Sequence, residues 1–372
     1  MKKKILVVFG TRPEAIKMAP LIIALSDDSR FDLKVCVTAQ HRHMLDQVLE
    51  LFKIKPDFDL NIMRSQQTLN EITSAVIIGL KPILELVKPD IVLVHGDTST
   101  TFAAALAAYY KKIKVGHVEA GLRTKNIYSP WPEEANRKLT SVIANYHFAP
   151  TIESKENLIS EGVKDSDIVI TGNTIVDAVF LARKKLYKNK ALMQSIERNF
   201  NFLNPDKKLL LVTGHRRENI GYGFKEVCKG IGRFAEMHKQ VQIVYSVHLN
   251  PNVRKPVKQY LNNFDNIYLI DPVDYSHFCY LMDKAWVILT DSGGIQEEAP
   301  SFRKPVLVTR NITERPEAVK AGLAKLVGTD SELIVGSLNL LLTDLSEYKK
   351  MTSADNPFGN GHACDLIINK LI

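Results

Sequence analysis

The sequence lacks long apolar runs, paired cysteines and the glycine fingerprint of a nicotinamide-binding domain. No apolar run approaches the roughly 20 residues that a membrane-spanning helix needs. The basic start MKKK is followed by only five apolar residues, which predicts a first strand and not a secretion signal. The cysteines Cys36, Cys228, Cys279 and Cys364 are scattered, which argues against a disulfide framework or a zinc site. We therefore expect a cytoplasmic protein with no membrane partner, no metal and no NAD.

What is present is typical of a soluble globular protein of about two domains. The chain of 372 residues is 45% hydrophobic and 24% charged, which is an ordinary globular balance. Its net charge of +8 could attract an anionic ligand, and a solvated basic surface is the alternative explanation. The densest basic run, 183–190, belongs to no recognisable nucleic-acid-binding module. A nucleic-acid partner is therefore not expected, and only salt-sensitive binding to nucleic acid would support one.

The segment 94–124 organises the first half of the chain. Two short apolar runs, 90–95 and 113–118, flank a stretch at 98–110 that is long enough for one helix. This pattern predicts a strand–helix–strand unit with two neighbouring parallel strands. Asp97 and Glu119 then follow the two strands, at the end where parallel sheets form their ligand crevices. For either acid alone, a helix cap or a loop charge is the alternative.

Alternating strands and helices through residue 170 predict one doubly wound α/β domain. The predicted strands outside the central segment are 4–9, 33–38, 146–150 and 168–170. After the first of them, Arg12 and Lys17 flank a strand-to-helix turn that could cradle an anion.

Three other features of the first half carry weaker signals. Pro20 and Pro82 lie in otherwise helical stretches and are expected to kink or break them. The pair His41-x-His43 has no third ligand nearby, so a metal is not expected there. Glu133 follows a stiff Pro-Trp-Pro turn at the start of a helix, where it either compensates the helix dipole or belongs to a site.

The strand pattern restarts after a basic helical stretch at 176–200. The predicted strands of this second half are 208–213, 242–247, 267–270, 286–290 and 304–309. The sequence thus predicts a first domain at 1–172, completed by a C-terminal helix at 356–372, and a second domain at 173–355.

The second half contains a compact candidate phosphate site. Ser292, Gly293 and Gly294 lie between a strand and a helix, where backbone N–H groups can approach an anion. Glu298 lies one turn into that helix and could accept hydrogen bonds from ribose hydroxyls. His215 follows a strand beside two arginines and is a candidate phosphate donor or acid. A tight turn with dipole-compensating acids and a structural histidine is the alternative.

These residues belong to motifs that run in order along nearly the whole chain. The motifs are GTRPEAIK at 10–17, HGD at 95–97, GHVEAGLRT at 116–124, PEEANR at 132–137, GHRREN at 214–219, DSGGIQEE at 291–298 and ERPE at 314–317. With them the chain resembles the bacterial non-hydrolysing UDP-N-acetylglucosamine 2-epimerases. The resemblance implies a GT-B-like fold of two Rossmann-like domains with a cleft between them, a homodimer, and interconversion of UDP-GlcNAc with UDP-ManNAc for surface polysaccharide.

The resemblance also implies roles for individual residues. The implied catalytic residues are Asp97, Glu119, Glu133 and His215. The implied substrate-binding residues are Arg12, Lys17, Phe278, Ser292, Gly293, Gly294, Glu298 and Arg315, of which the last six would hold UDP. A second, activating substrate site would involve Gln40, His43, Gln66, Glu133 and His248. His43 and Gln66 stand where we would expect Gln and Arg.

The chemistry of such a reaction can be argued beside the resemblance. Inversion at C2 of the sugar requires either transient oxidation, for which the nicotinamide fingerprint is missing, or elimination of UDP and re-addition. Elimination needs a stabilised diphosphate and proton carriers on both faces of the ring. Asp97, Glu119 and Glu133 are enough candidates, and the sequence does not assign them to faces. A hydrolysing epimerase and a glycosyltransferase with the same UDP site remain the alternatives.

Overall fold

The computed structural model describes residues 2–39, 42–64, 66–216, 219 and 221–372, with only the backbone of 42–44. The chain divides into two compact units. Unit 1 comprises Met1–Leu181 and Phe358–Ile372, and unit 2 comprises Ala182–Pro357. Each unit is built on one parallel sheet, as the alternation of strands and helices predicts. Every helix of the described residues is too short or too polar to span a bilayer.

The sheet of unit 1 is parallel throughout. Its strands are β1 (Lys3–Phe9), β2 (Phe31–Val37), β3 (Phe58–Asp59), β4 (Ile91–His95), β5 (Lys114–Val118), β6 (Tyr146–Ala149) and β7 (Ile168–Ile170). They lie in the order β3-β2-β1-β4-β5-β6-β7. The central strand β1 is buried from Ile5 to Phe9, because helices cover both faces of a parallel sheet. The strand order reverses between β1 and β4, which is where such sheets place their ligands.

Several helices of unit 1 begin at a threonine cap. The helices are α1 (Arg12–Asp27), α2 (Arg42–Phe52), α3 (Leu69–Val87), α4 (Ser99–Tyr110), α5 (Glu133–Ile143), α6 (Ile152–Ser160), α7 (Thr174–Lys188), whose last turns belong to unit 2, and α16 (Ala363–Leu371). Thr98 caps α4 by accepting a hydrogen bond from the Thr101 N–H, 3.1 Å away, as hydroxyl side chains commonly do at helix starts.

The predicted breaks at Pro20 and Pro82 are wrong. Helix α1 continues through Pro20, and α3 continues through Pro82. A proline inside a helix has no N–H group, so the carbonyl four residues earlier is left without its helical hydrogen bond. For Pro82 that carbonyl belongs to Ile78, whose side chain is 70% exposed, so water can satisfy this part of the helix.

Unit 2 repeats the same architecture with a smaller sheet. Its strands are β8 (Lys208–Gly214), β9 (Val241–Val247), β10 (Ile267–Ile270), β11 (Val287–Thr290), β12 (Val306–Val308) and β13 (Ala324–Leu326), in the order β10-β9-β8-β11-β12-β13. Its helices are α8 (Lys190–Asn199), α9 (Tyr222–Met237), α10 (Pro251–Leu261), α11 (Tyr275–Lys284), α12 (Gly293–Glu298), α13 (Pro316–Lys320), α14 (Ser331–Thr343) and α15 (Leu345–Ser353). Here the strand order reverses between β8 and β11, as it does between β1 and β4.

The C-terminal segment is anchored in unit 1. The carboxylate of Asp177 accepts hydrogen bonds from the N–H groups of Ala363 and Cys364 at 3.3 and 3.0 Å. These two amides open α16 and have no acceptor within their own helix. The ammonium group of Lys3 donates to the Leu371 carbonyl at 2.6 Å, so both ends of α16 are bonded to unit 1.

Candidate active site

Neighbouring strand ends in unit 1 bring two of the predicted acids to the same end of the sheet. Strands β4 and β5 pair in parallel register, with His95 beside Val118. Asp97 follows β4 after Gly96, and Glu119 follows β5 directly. The Gly96 N–H donates to the Val118 carbonyl at 2.9 Å, which ties the two loops together. The predicted strand–helix–strand unit is therefore confirmed.

Glu119 lies in a network of donors that come from three other parts of the unit. Its Oε2 forms an ion pair with the ammonium group of Lys17 from α1. The side-chain amide of Asn173 donates to the same oxygen at 2.6 Å. Nε2 of His95 lies 3.9 Å from it. The backbone of Glu119 has φ +63°, a left-handed conformation that costs a non-glycine residue energy and is often found at functional sites.

Asp97 has a different kind of cation partner. The guanidinium group of Arg137 donates to Asp97 Oδ2 from Nε at 3.0 Å and from Nη2 at 2.6 Å. Arg137 also contacts the fully buried carboxylate of Glu134 at 3.2 Å. The side-chain amide of Asn136 donates to the Asp97 carbonyl at 2.9 Å. Helix α5 thus fixes both the backbone and the carboxylate of Asp97.

Glu133 begins α5 and is bonded differently from the other two acids. It follows the predicted Pro-Trp-Pro turn, in which Trp131 is 63% exposed. One of its carboxylate oxygens, Oε2, is buried and has no hydrogen-bond partner among the described residues. A buried carboxylate oxygen without a donor is costly, so this oxygen is suited to accept a hydrogen bond from a ligand hydroxyl.

Two buried histidines stabilise the strand ends without carrying charge. Burial lowers the pKa of His95 to about 4, and the nearby Glu119 carboxylate only partly opposes this. Burial likewise lowers the pKa of His117 to about 3. His117 Nε2 lies 2.7 Å from the Gly96 carbonyl, which requires the tautomer with a proton on that nitrogen. Both rings are therefore neutral at physiological pH.

The turn after β1 does not offer its backbone amides to an anion. The carboxylate of Glu14 accepts hydrogen bonds from the N–H groups of Gly10 and Thr11 at 3.0 and 2.7 Å. Its other oxygen accepts a hydrogen bond from the Thr98 hydroxyl at 2.8 Å. The sequence predicts an anion cradle here, and the backbone part of that cradle is already occupied. Arg12, which is half-buried, remains as the cationic side chain of this turn.

In unit 2 a buried carboxylate likewise fixes the loop after the first strand. The N–H groups of His215 and Arg216 both donate to Asp291 Oδ2 at 2.8 Å. The imidazole of His215 stacks on that of His248, with ring centroids 5.2 Å apart. Burial lowers the pKa of His215, and the Asp291 carboxylate partly opposes this shift. His215 and His248, predicted for different roles, are thus direct neighbours.

The Ser292-Gly293-Gly294 turn opens α12 as predicted. The Ser292 N–H donates to the Thr290 hydroxyl at 3.0 Å, whereas Gly293 and Gly294 occupy the first two helical positions, whose amides have no acceptor within the helix. A Cβ atom on Gly293 would lie 3.9 Å from the guanidinium group of Arg216 and from the Glu314 carboxylate. A cation and an acid therefore stand beside this turn.

The other predicted UDP-binding residues lie around α12. Glu298 is at its last turn, and its Oε1 would lie 3.6 Å from a Cβ atom on Gly294. Arg315 caps α13, is buried, and forms an ion pair with Glu297 through its Nε. Phe278 lies on α11 and is half-buried.

The residues predicted for a second substrate site are only partly described. Gln40 lies outside the described residues, and for His43 only the backbone, in α2, is described. Gln66 is exposed and has φ +59°. Glu133 and His248 are described above, in unit 1 and unit 2 respectively.

Several residues of these networks carry no predicted role. Glu14, His95, Arg137 and Asp291 fall within the quoted motifs, whereas Asn173 lies outside them, and many of their contacts come from residues far apart in sequence. Asn173 and Glu119, for example, are 54 positions apart. In the described ranges, no three His, Cys, Asp or Glu side chains are grouped so that they could hold a metal ion.

Known proteins match this chain over almost its whole length. The model of the family described as UDP-N-acetylglucosamine 2-epimerase matches residues 23–372. The UDP-N-acetylglucosamine 2-epimerase of Escherichia coli K12 is 59% identical over 368 residues, covering 99% of this chain and 98% of that protein. The Campylobacter jejuni enzyme of the same name is 55% identical, covering 100% and 98%.

A solved structure of the Neisseria meningitidis enzyme bound to UDP-GlcNAc is also similar. It has a TM-score of 0.93 and 54% identity, and the match covers 99% of each chain. Together with the two parallel-sheet units, it confirms the predicted GT-B-like fold class. The resemblance read from the motifs is confirmed as well, and the chain belongs to the UDP-N-acetylglucosamine 2-epimerase family.

Proposed function

We propose that this chain reversibly epimerises UDP-GlcNAc at C2 to UDP-ManNAc without hydrolysing it. The observation that carries the proposal is the pair of acids at neighbouring strand ends, Asp97 and Glu119, each held by a buried cation in a chain of this family. That the Neisseria meningitidis relative was solved with UDP-GlcNAc bound supports the choice of substrate.

The proposed reaction is an elimination followed by re-addition. A carboxylate removes the C2 hydrogen as a proton, the C–H electron pair becomes the C1–C2 double bond, and UDP leaves C1 with its bonding electrons. The intermediate is 2-acetamidoglucal. A carboxylic acid then protonates C2 from the other face while UDP re-adds at C1. No step of this route transfers a hydride, and protein donors can stabilise the departing diphosphate, so we propose that neither NAD nor a metal is required.

The acids of unit 1 are proposed to serve the sugar. Asp97 and Glu119 are each held in place by a cation, and we propose that they exchange protons with the sugar. Glu133 has a buried oxygen without a partner among the described residues and is proposed as the third proton carrier. We propose that Arg12 binds the substrate through its charge. Lys17 contributes by holding Glu119.

The residues of unit 2 are proposed to hold UDP and to stabilise it as the leaving group. The amides of Gly293 and Gly294 can donate to phosphate oxygens from the start of α12. His215 is a donor beside that turn, and it can give a proton to the departing diphosphate. Ser292, Glu298, Phe278 and Arg315 complete the proposed nucleotide site.

We also propose that a second substrate molecule activates the enzyme through Gln40, His43, Gln66, Glu133 and His248. His248 stacks directly on His215, so a ligand that moves this ring would alter the environment of His215. The departures from the family pattern at His43 and Gln66 predict weaker activation. A plot of rate against UDP-GlcNAc concentration that stays hyperbolic in His248→Ala, but is sigmoidal in the wild type, would support this site.

A homodimer in the cytoplasm, supplying surface polysaccharide synthesis, completes the proposal. Helices α3, α4 and α5 pack side by side and expose large apolar side chains in unit 1. These are Ile78, Leu86, Tyr109, Tyr110, Leu139 and Val142. Sedimentation of Val142→Asp should show a monomer if this face forms the dimer. Ile152→Asp, at a similarly exposed position on α6, is the control and should remain dimeric.

The test of the reaction is incubation with UDP-GlcNAc in D₂O followed by NMR. The proposal predicts both epimers with deuterium at C2, because the removed proton exchanges with solvent before re-addition. Epimerisation with the original hydrogen retained would exclude the proton-exchange route. Release of free ManNAc would identify a hydrolysing enzyme, and transfer to an added acceptor would identify a glycosyltransferase.

A further inference from the structure

Asn173 joins Glu119 to the start of α7. Its Nδ2 donates to Glu119 Oε2 at 2.6 Å. Its Oδ1 accepts a hydrogen bond from the Ile175 N–H at 3.0 Å, and its backbone N–H donates to the Phe358 carbonyl at 2.7 Å. Because an N–H group can bond only to the oxygen of this amide, the contact with Ile175 fixes which end faces Glu119. The side chain is buried and cannot turn to solvent.

Two groups that can only donate therefore meet at one oxygen of Glu119. The ammonium group of Lys17 and the amide nitrogen of Asn173 both contact Oε2, and neither group has an acceptor lone pair. A proton placed on Oε2 would face both of them. The other oxygen, Oε1, points toward Gly96 and would lie 3.6 Å from a Cβ atom at that position. Both donors therefore favour the ionised form of Glu119, because a proton on Oε2 would displace one of these contacts.

The remaining groups around this carboxylate do not change its balance of charge. His95, at the end of β4, is neutral because burial lowers its pKa to about 4. Asp97, in the following loop, is paired with the guanidinium group of Arg137. Lys17 from α1 is thus the positive charge that faces Glu119, and Asn173 is its neutral donor.

We infer that Asn173 is a positioning residue, which keeps Glu119 ionised and fixes the orientation of its carboxylate. The inference deepens the proposed function and rests on it. It goes beyond the acid itself by assigning the residue that orients the carboxylate and favours its charged form. It also predicts that the side-chain N–H group of Asn173 is required for activity, and that the size of the side chain and its capping oxygen are not sufficient.

The decisive variant is Asn173→Asp. It preserves size and the acceptor for the Ile175 N–H, because aspartate is as good a helix cap as asparagine. It replaces the donor to Oε2 with a second carboxylate oxygen. Two carboxylates that share one site hold a proton to higher pH, by about 1–3 pH units. The acidic limb of the pH profile of kcat/KM should move up by that amount, so the loss should be largest at acidic pH and should recover as the pH rises.

Two other variants separate this effect from a structural one. Asn173→Ser keeps an oxygen for the cap but has no amide, so it should lower kcat with a smaller shift of the limb. Asn189→Asp makes the same exchange at the cap of α8, where Oδ1 accepts a hydrogen bond from the Leu192 N–H at 3.1 Å, and should leave the profile unchanged. If Asn173→Asp lowers kcat/KM equally at every pH and leaves the acidic limb of the profile at its wild-type position, the inference is overturned.

A measurement without turnover keeps the inference independent of the reaction. The carboxyl ¹³C resonance of Glu119, identified by its disappearance in Glu119→Gln, should titrate at higher pH in Asn173→Asp than in the wild type. An unchanged titration would refute the positioning role even in an active enzyme. If the wild type does not epimerise UDP-GlcNAc but the titration shifts, the proposed function fails and the role of Asn173 stands.

Discussion

Replacement of Arg137 by methionine should be among the most damaging single changes in unit 1. Arg137 bridges two carboxylates, with Nη1 3.2 Å from Glu134 and Nη2 2.6 Å from Asp97. Glu134 is fully buried, and its remaining described donor is the Lys125 N–H at 3.2 Å. Removing one partner of a buried ion pair costs about 3–5 kcal/mol, because the other charge is left without compensation. We expect Arg137→Met to lower the free energy of unfolding by this amount.

A double-mutant cycle tests whether the uncompensated charge of Glu134 causes the loss of stability in Arg137→Met. Glu134→Gln keeps an acceptor for the Lys125 N–H but carries no charge, so the double variant should be more stable than the sum of the two single losses predicts. The expected coupling is about 1–3 kcal/mol. Urea unfolding followed by far-UV circular dichroism measures the four proteins. The fluorescence of Trp286, which is 8% exposed and lies in unit 2, reports whether that unit is unaffected.

Activity gives a second, independent readout of the same cycle. Asp97 loses both guanidinium donors in Arg137→Met and in the double variant, so both should turn over substrate far more slowly. Glu134→Gln leaves the Asp97 contacts in place and should retain most of its kcat. If Arg137→Met unfolds within about 1 kcal/mol of the wild type, or if the cycle is additive, the buried-pair reasoning is wrong.

The remaining predictions concern catalysis, the nucleotide site and pH. Asp97→Asn and Glu119→Gln should each lower kcat by about 10²–10⁴-fold while the circular dichroism spectrum is retained, because each removes a proposed general acid–base group. Gly293→Ala should weaken UDP binding about tenfold in calorimetry, while the stability of unit 2 is unchanged or rises by about 0.5–1 kcal/mol, since alanine favours helix but adds a methyl group at the turn. Burial lowers the pKa of His95, His117 and His147 to about 4, 3 and 4, so below about pH 6.5 the unfolded chain binds protons that the folded chain does not. The free energy of unfolding of unit 1, measured with urea, should therefore fall between pH 6.5 and 4, by about 1.4 kcal/mol per pH unit for each histidine. His147→Asn should reduce that loss. A free energy of unfolding that is constant over this range would contradict the prediction.

The strand pattern predicts the fold because parallel strands buried on both faces leave a simple signal. The runs at 168–170 and 267–270 coincide with β7 and β10, since each is a short apolar segment bounded by polar residues. Strand β3, Phe58–Asp59, has two residues, which are too few to show a periodic pattern in the sequence. Its pairing with β2 is set by the rest of the sheet.

The candidate acids are predictable for the same reason, and their partners are not. A carboxylate within two residues of the end of a buried strand is easy to recognise in the sequence, as Asp97 and Glu119 are. Nothing in the sequence pairs Asp97 with Arg137 or Glu119 with Asn173, because those contacts depend on where α5 and the start of α7 lie in the folded unit. His95 reads as part of an apolar run, and only the structure shows that both of its ring nitrogens are buried without hydrogen-bond partners among the described residues.

Both units use a buried carboxylate to bond loop amides at the point where the strand order reverses. In unit 1, Glu14 accepts the amides of the loop after β1 and a hydroxyl from the loop after β4. In unit 2, Asp291 follows β11 and accepts the amides of the loop after β8. A buried carboxylate thus satisfies the backbone donors that nucleotide folds commonly offer to phosphate.

This arrangement decides which groups are left to meet an anionic substrate. The amides of Gly10, Thr11, His215 and Arg216 are already bonded, so among the described residues the donors left for an anion include side-chain cations and the start of α12. Side-chain cations can move with a ligand, whereas bonded amides cannot. The proposed release and return of a diphosphate would benefit from donors that can follow it. Because the carboxylates at the two reversal points hold these four amides, side chains would supply that freedom.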